Sequence, residues 1–173
     1  MKSCHAWQPV SPNGKVADCV ALGQETSTLK MYLYDSSALA SSKAINQDGL
    51  DSSSQQFCTG TLEVPQVRLD DVYFDYVQET TCSMIKIDVQ GGEMDVFKGA
   101  ERALQHARGI HIEVSFAPVY DGEAYYLDML QYLREKGFAL YCFSPISSKF
   151  RYGQVTQMDA ILFRDPQLLK HFG

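Results

Sequence analysis

The residues best placed to do chemistry stand at the end of one short segment, residues 83–90. In it, β-branched residues alternate with Met84, Lys86 and Asp88, which predicts a strand with the two charged side chains on one face. Open α/β sheets form ligand sites just beyond the carboxyl ends of their strands, where Asp88 would lie. Asp88 is therefore a candidate site residue, and an ion pair with Lys86 that serves only the fold is the alternative.

The turn after this strand contains Gly91 and Gly92, followed by Glu93. Two glycines allow the backbone to turn tightly and to approach a ligand closely. Glu93 opens the following helix and is a second candidate for the site. Its alternative role is local, because the helix dipole favours an acidic residue in a first turn by about 0.3–1 kcal/mol.

The second half of the chain predicts alternating strands and helices. The elements in order are a strand over 83–90, a helix from Glu93, a strand over 109–115 and a helix over 123–136. This order predicts parallel pairing with right-handed crossovers. Segments 138–143 and 155–163 follow with no helix between them, which predicts an antiparallel hairpin at the sheet edge. A short helix is expected after Pro166.

The first half is less regular. Segments 15–23 and 28–35 predict two strands joined as a hairpin. Residues 36–56 are polar and poor in large apolar side chains, so they predict a mobile loop too polar to bury. A strand over 61–69 and a short helix or turn over 70–79 complete this half.

Composition excludes several classes of protein. The net charge of −6 and the pI near 5.1 argue against nucleic acid as a partner. No apolar run reaches the roughly 20 residues of a membrane span, and the first residues lack the apolar centre of a signal peptide. We therefore expect a cytoplasmic protein that forms a single domain over residues 1–173, without a membrane partner.

Cysteine and histidine spacing gives little support for a metal site. The five cysteines are widely spaced and form no CxxC pair, which predicts free thiols. His111 and Glu113 would share one strand face and could bind a metal together with Asp88. No further ligand is spaced with them, so the prediction is no metal. The other histidines, including His106, are expected at the surface.

Three strings in this order resemble one known family: VRLDDVYFDYV, MIKIDVQGGEMDVFKGAERAL and GIHIEVS. They resemble the signature stretch of FkbM-family, S-adenosylmethionine-dependent methyltransferases. The strings MDAILFRD and VADCVALGQETSTLKMYLYD also resemble that family, so the resemblance covers about residues 15–165. Gln90 and Gly92 depart conservatively from the commonest form of the motif, which has Glu and Ala there.

The resemblance implies a fold, a cofactor and a set of site residues. The fold would be α/β, a class I methyltransferase (Rossmann-like) sheet with helices on both faces and the antiparallel hairpin at its end. The cofactor would be S-adenosylmethionine, and the acceptor a hydroxyl on a sugar, polyketide or similar small molecule. Asp88 would lie at the methyl-transfer pocket as the base, with Gln90 and Glu93 at its rim and with Ala21 and Leu22 near the adenine. Aromatic residues over 120–152 could line the acceptor pocket, although Tyr126 and Tyr132 have the spacing of packing residues.

One part of the family pattern is missing from the sequence. The first two strands of the family, with a DxGxxxG turn and an acidic residue for the ribose, have no counterpart in the first fourteen residues. The sequence thus resembles an N-terminally truncated member, and we expect it to bind S-adenosylmethionine weakly or not at all. The edge of the Asp88 strand would be left unpaired and open to self-association. The competing function is a catalytically inactive, methyltransferase-like binding or assembly module.

Overall fold

The computed structural model describes residues 14–15, 17–36, 39–46, 56–145, 150–151, 154–165 and 167. These residues form a three-stranded sheet, a four-stranded sheet, a separate two-stranded hairpin and four α-helices. The α/β class predicted from the sequence is confirmed. The helix expected after Pro166 lies outside the described residues.

The three-stranded sheet contains β1 (Ala21–Gly23), β2 (Ser27–Tyr34) and β3 (Cys58–Arg68) in the order β1-β3-β2. β1 is parallel to β3, and β2 is antiparallel to it. The predicted hairpin between 15–23 and 28–35 is therefore wrong. β3, with eleven residues, is the central strand. It pairs with β2 along one edge and with β1 along the other.

The four-stranded sheet contains β4 (Met84–Ile87), β5 (Gly109–Ser115), β6 (Ala139–Pro145) and, after the small hairpin of β7 (Phe150–Arg151) and β8 (Gln154–Val155), β9 (Gln157–Phe163). Its order is β4-β5-β9-β6, with β4 parallel to β5 and β9 antiparallel to both of its neighbours. The predicted antiparallel pairing of 138–143 with 155–163 is confirmed. Among the described strands β4 lies at the edge, and self-association through that edge stays a prediction.

The helices are α1 (Leu69–Tyr76), α2 (Glu93–Lys98), α3 (Glu101–His106) and α4 (Tyr126–Glu135). The helix predicted from Glu93 is thus broken at Gly99. A Cβ atom at Gly99 would lie 2.0 Å from the carbonyl oxygen of Gly23, so only glycine lets β1 pack this closely against the end of α2. This contact places β1 beside the turn that carries Asp88.

The main core lies on one face of the four-stranded sheet. Ile110 and Ile112 of β5 are fully buried, and the buried apolar side chains of all four helices belong to the same cluster. The opposite face of β5 carries the half-buried His111 and Glu113. Helices on both faces of the sheet stay a prediction.

Residues 39–46 differ from the predicted mobile, unburied loop. Ser41 is 0% exposed and pairs with Tyr32, and Ile45 is 6% exposed and pairs with Tyr120. A small apolar cluster of Tyr34, Ile45 and Tyr120 results. Ile45 supplies the apolar area that the composition of the segment concealed, and hydrogen bonds satisfy the buried hydroxyl of Ser41. Residues 47–55 of the predicted loop lie outside the described residues.

One further prediction is corrected. Cys19 is disulfide-bonded, whereas Cys58, Cys82 and Cys142 are free, so the expectation of free thiols is wrong at Cys19. His106, expected at the surface, is half-buried; Tyr73 Oη lies 3.0 Å from its Nδ1 and the carbonyl oxygen of Glu79 lies 2.9 Å from its Nε2. In the part of the chain that the structure describes, no helix is long and apolar enough to cross a membrane.

Candidate functional site

A cleft of about 640 Å³ lies where the two sheets meet. Its walls come from β1, from the first half of β2, from the segment 40–42 and from the turn after β4. The residues that line it are Val20, Ala21, Leu22, Gln24, Glu25, Ser27, Thr28, Leu29, Met31, Ala40, Ser42, Gln66, Asp88, Val89, Gly92 and Asp95. Three residues singled out from the sequence, Ala21, Leu22 and Asp88, thus line one cavity.

Asp88 makes two polar contacts in this cleft. Its Oδ2 lies 3.7 Å from Lys86 Nζ, and its Oδ1 accepts a hydrogen bond of 2.7 Å from Gln90 Nε2. The side chains of Lys86 and Asp88 are 59% and 43% exposed. An ion pair as exposed as this contributes at most about 1 kcal/mol to stability, so the pair with Lys86 leaves the carboxylate available for chemistry.

The turn after Asp88 has an unusual backbone. Gln90 has a φ of 56°, the single positive value at a non-glycine residue in the described part of the chain, and Gly91 follows with a φ of 93°. A left-handed conformation at a residue with a side chain costs free energy and persists where the surroundings hold it. At Gly91 a Cβ atom would lie 2.8 Å from the Cβ of Tyr120, so this position requires glycine.

Two buried hydroxyl groups hold Gln90, one from the first half of the chain and one from the second. Ser41 Oγ donates a hydrogen bond of 2.6 Å to the carbonyl oxygen of Gln90, and Tyr120 Oη donates one of 2.9 Å to its Oε1. Burial, with repulsion from Glu123 as the next cause, raises the pKa of Tyr120 above its ordinary value. Tyr120 therefore keeps its proton and remains a donor. Gln90 itself lies beside the cleft and reaches it through Asp88.

Glu93 is buried beneath the same turn and does not line the cleft. Its Oε1 accepts a hydrogen bond of 3.0 Å from the backbone N–H of Val89. Burial raises the pKa of Glu93, while hydrogen bonds from backbone N–H groups of the turn oppose that shift. This geometry supports a local role for Glu93, which was the alternative considered from the sequence. The carboxylate holds the turn through its hydrogen bond to Val89, so its role is not limited to an interaction with the helix dipole.

The cleft has both apolar and polar lining. Val20, Ala21 and Leu22 are among its apolar residues. Its carboxylates are those of Glu25, Asp88 and Asp95, and Lys43 Nζ lies 3.3 Å from Asp95 Oδ2. A ligand that carries both an apolar ring and a charged group would match this lining.

The alternative metal site is not assembled. His111 Nε2 lies 3.3 Å from Asp159 Oδ1, and Glu113 Oε1 accepts a hydrogen bond of 2.7 Å from Gln157 Nε2. Within the described ranges no three His, Cys, Asp or Glu side chains stand close enough to hold a metal ion. His111 and Glu113 contact β9 instead of converging with Asp88.

A ligand-sized cleft lies beyond the end of a strand in a mixed α/β fold, which is where such folds commonly form ligand sites. The family model of the methyltransferase FkbM domain matches residues 8–140. The chain belongs to the FkbM methyltransferase family. Comparisons with curated proteins and with solved structures find no match.

The hydrogen bonds of Ser41 and Tyr120 to Gln90 are not predicted by the sequence. Ser41 lies in a stretch of serines in which composition cannot single out one hydroxyl. Tyr120 was one of several aromatic residues expected near an acceptor pocket, and it is 2% exposed. Gly91 is the one indication in the sequence, because a glycine in a tight turn after a strand leaves room for a neighbouring side chain to pack against it.

Proposed function

We propose that this chain is an S-adenosylmethionine-dependent methyltransferase that transfers a methyl group to a hydroxyl of a small neutral molecule such as a sugar or polyketide. The observation that supports it is the cleft in which Ala21, Leu22 and Asp88 come together, in a chain of the FkbM methyltransferase family. The three residues are far apart in sequence. Their convergence is what a single cofactor site needs.

The residues of the cleft fit the chemistry of the cofactor. Small-molecule sites have volumes of roughly 300–1,000 Å³, and this cleft has about 640 Å³. Val20, Ala21 and Leu22 offer the apolar surface that an adenine ring needs. Asp88 and Asp95 offer carboxylates to ribose hydroxyls and to the cationic groups of the cofactor.

Each residue then has a role in the reaction. When bound, the cofactor supplies an electrophilic methyl group on a sulfonium. Ala21 and Leu22 orient the ligand along β1, which fixes the geometry that an in-line displacement requires. Asp88 accepts a hydrogen bond from the acceptor hydroxyl and takes its proton as a general base. Glu93 holds the turn on which Asp88 is carried.

Titration calorimetry with S-adenosylmethionine tests the cofactor site. We expect saturable binding, weaker than the low micromolar range of about −8 kcal/mol, because the sequence contains no DxGxxxG turn to add backbone N–H contacts. Thr28→Trp, at an exposed position of β2 that lines the cleft, should weaken binding at least about tenfold by filling the site. Lys30→Trp is the control, since Lys30 is exposed on the same strand face and does not line the cleft.

The outcomes separate the parts of this proposal. No saturable heat up to millimolar cofactor would contradict the function. Equal binding by Thr28→Trp and the wild type would place the site elsewhere. A dissociation constant in the low micromolar range would leave the function standing and would overturn the expectation of weak binding.

A further inference from the structure

Two buried hydroxyl groups, those of Ser41 and Tyr120, donate hydrogen bonds to one glutamine. Gln90 connects Tyr120 to Asp88 through its side-chain amide, with a hydrogen bond of 2.9 Å on one side and of 2.7 Å on the other. The backbone of Gln90 is held in a left-handed conformation at a φ of 56°. A short chain of hydrogen-bonded groups therefore runs from the buried Tyr120 to the carboxylate of Asp88 in the cleft.

The order of donors along this chain is fixed by the carboxylate of Asp88. A carboxylate only accepts hydrogen bonds, so the amide NH₂ group of Gln90 must face Asp88 and the amide oxygen then faces Tyr120. If the amide were turned over, its oxygen would face the carboxylate and two acceptors would repel each other. The hydroxyl of Tyr120 donates to the amide oxygen and thus anchors the amide in the orientation that satisfies Asp88 Oδ1.

The position of Tyr120 is itself fixed by several contacts. Glu123 Oε2 accepts hydrogen bonds of 2.7 and 3.1 Å from the backbone N–H groups of Val119 and Tyr120. Ser115 Oγ also donates a hydrogen bond to Glu123. The ring of Tyr120 packs against Gly91, where no side chain would fit. The hydroxyl therefore has little freedom to follow a displaced glutamine.

We infer that Tyr120 is a positioning residue for methyl transfer, which acts through the side-chain amide of Gln90 to hold the carboxylate of Asp88 in its reactive orientation. The inference rests on the proposed function, in which Asp88 is the base. Tyr120 is 2% exposed and does not line the cleft, so it does not touch a ligand there. Its effect is on the geometry of the proton transfer, where a displacement of about 1 Å can lower the rate as much as 100-fold.

The first test reads the position of the amide without any acceptor. The side-chain amide signals of Gln90 are identified in an NMR spectrum by their loss in Gln90→Met. We expect Tyr120→Phe, which keeps the ring against Gly91, to move these signals towards those of a free glutamine and to speed their exchange with water. Tyr34→Phe is the matched control, because Tyr34 is also buried in this cluster and its hydroxyl contacts Ile45 N, 2.8 Å away, instead of Gln90.

The second test reads transfer of the labelled methyl group from S-adenosylmethionine to a panel of neutral sugars and polyketide alcohols. Tyr120→Phe should lower kcat about tenfold and change the KM for the cofactor less than about twofold. In the Gln90→Met background the same substitution should have no further effect, because the route through the amide is already gone. Tyr34→Phe should affect the melting temperature and leave kcat within about twofold.

Each outcome bears on the inference. An unchanged Gln90 signal in Tyr120→Phe, or an equal fall in kcat with and without Gln90, would overturn it and assign Tyr120 a packing role. If the Gln90 signal moves in Tyr120→Phe but the wild-type protein transfers no methyl group to any acceptor, the proposed function is contradicted, while the connection from Tyr120 through Gln90 to Asp88 stands.

Discussion

The helix-packed core around β5 and the hydrogen-bonded region around Gln90 are held together by different forces. In the core, Ile110, Ile112 and Leu133 are fully buried and contact other apolar side chains. Around Gln90, the buried groups are hydroxyls and a carboxylate, each with a directional partner. The first region gains free energy from apolar area, whereas the second gains little net stability from its exchange of hydrogen bonds with water.

The difference explains why the cleft lies at the second region. Apolar packing is non-directional and depends on the volume that is filled, while a satisfied hydrogen-bond network permits one arrangement of its members. A site that must orient a carboxylate needs the second property. We therefore expect substitutions in the core to change stability most, and substitutions around Gln90 to change geometry and activity out of proportion to stability.

Leu133→Ala should have the largest effect on stability. Leu133 is 0% exposed, so removal of its side chain leaves a cavity and should lower the free energy of unfolding by about 2–5 kcal/mol. Leu127→Ala is the control on the same helix, since Leu127 is 55% exposed and should cost less than about 0.5 kcal/mol. Urea unfolding of the two variants measures both values. A loss below about 1 kcal/mol for Leu133→Ala would contradict the assignment of the core.

Ser41→Ala should have a smaller effect. The substitution removes the hydrogen bond to the carbonyl oxygen of Gln90 and leaves that acceptor unpaired, at a cost of about 1–3 kcal/mol. Ser144→Ala, at an exposed serine of β6, should stay within about 0.5 kcal/mol of the wild type. Hydrogen exchange at the amides of Gln90 and Gly91 should accelerate in Ser41→Ala alone. Unchanged exchange there would show that Ser41 does not hold the turn.

Glu93→Gln should have the smallest effect, visible as a dependence on pH. Burial raises the pKa of Glu93 above its ordinary value of 4.5, so the folded state binds the proton of this group more tightly than the unfolded state does. The stability from that preference is present below pH 4.5 and is lost as the pH rises through the folded-state pKa. Glutamine does not titrate, so the variant should gain stability relative to the wild type as the pH rises from 4 to 7. A difference in urea midpoints that is constant with pH would contradict the raised pKa.

Much of the second half of the fold could be predicted from the sequence, because its elements are set by local pattern. The strand over 109–115 follows from period-two alternation, and the pairing of 138–143 with 155–163 follows from the absence of a helical pattern between them. The pairing of β1 with β3 could not be predicted in this way, since no local pattern shows which edge of a long strand a short strand will join. The break at Gly99 likewise depends on a contact with Gly23, far away in sequence.

The candidate site also contains residues that could be predicted from the sequence and residues that could not. Asp88, Ala21 and Leu22 were found from a motif and lie in one cleft. Ser41 and Tyr120 were missed because their role depends on the burial of single hydroxyl groups against Gln90, which neither composition nor spacing reveals. The polar composition of 36–56 is misleading for residues 39–46, where Ile45 is buried and Leu39 packs against the same apolar cluster.

The most direct test of the central claim is methyl transfer by Asp88→Asn, measured beside a thermal melt. Asparagine keeps the shape of the side chain and an oxygen that can accept from Gln90, and the exposed pair with Lys86 contributes at most about 1 kcal/mol. The account predicts transfer of labelled methyl from S-adenosylmethionine by the wild type, a fall of about 100-fold or more in the variant, and a melting temperature nearly unchanged. Full activity in Asp88→Asn, or a loss of activity only in step with unfolding, would contradict the assignment of Asp88 as the base.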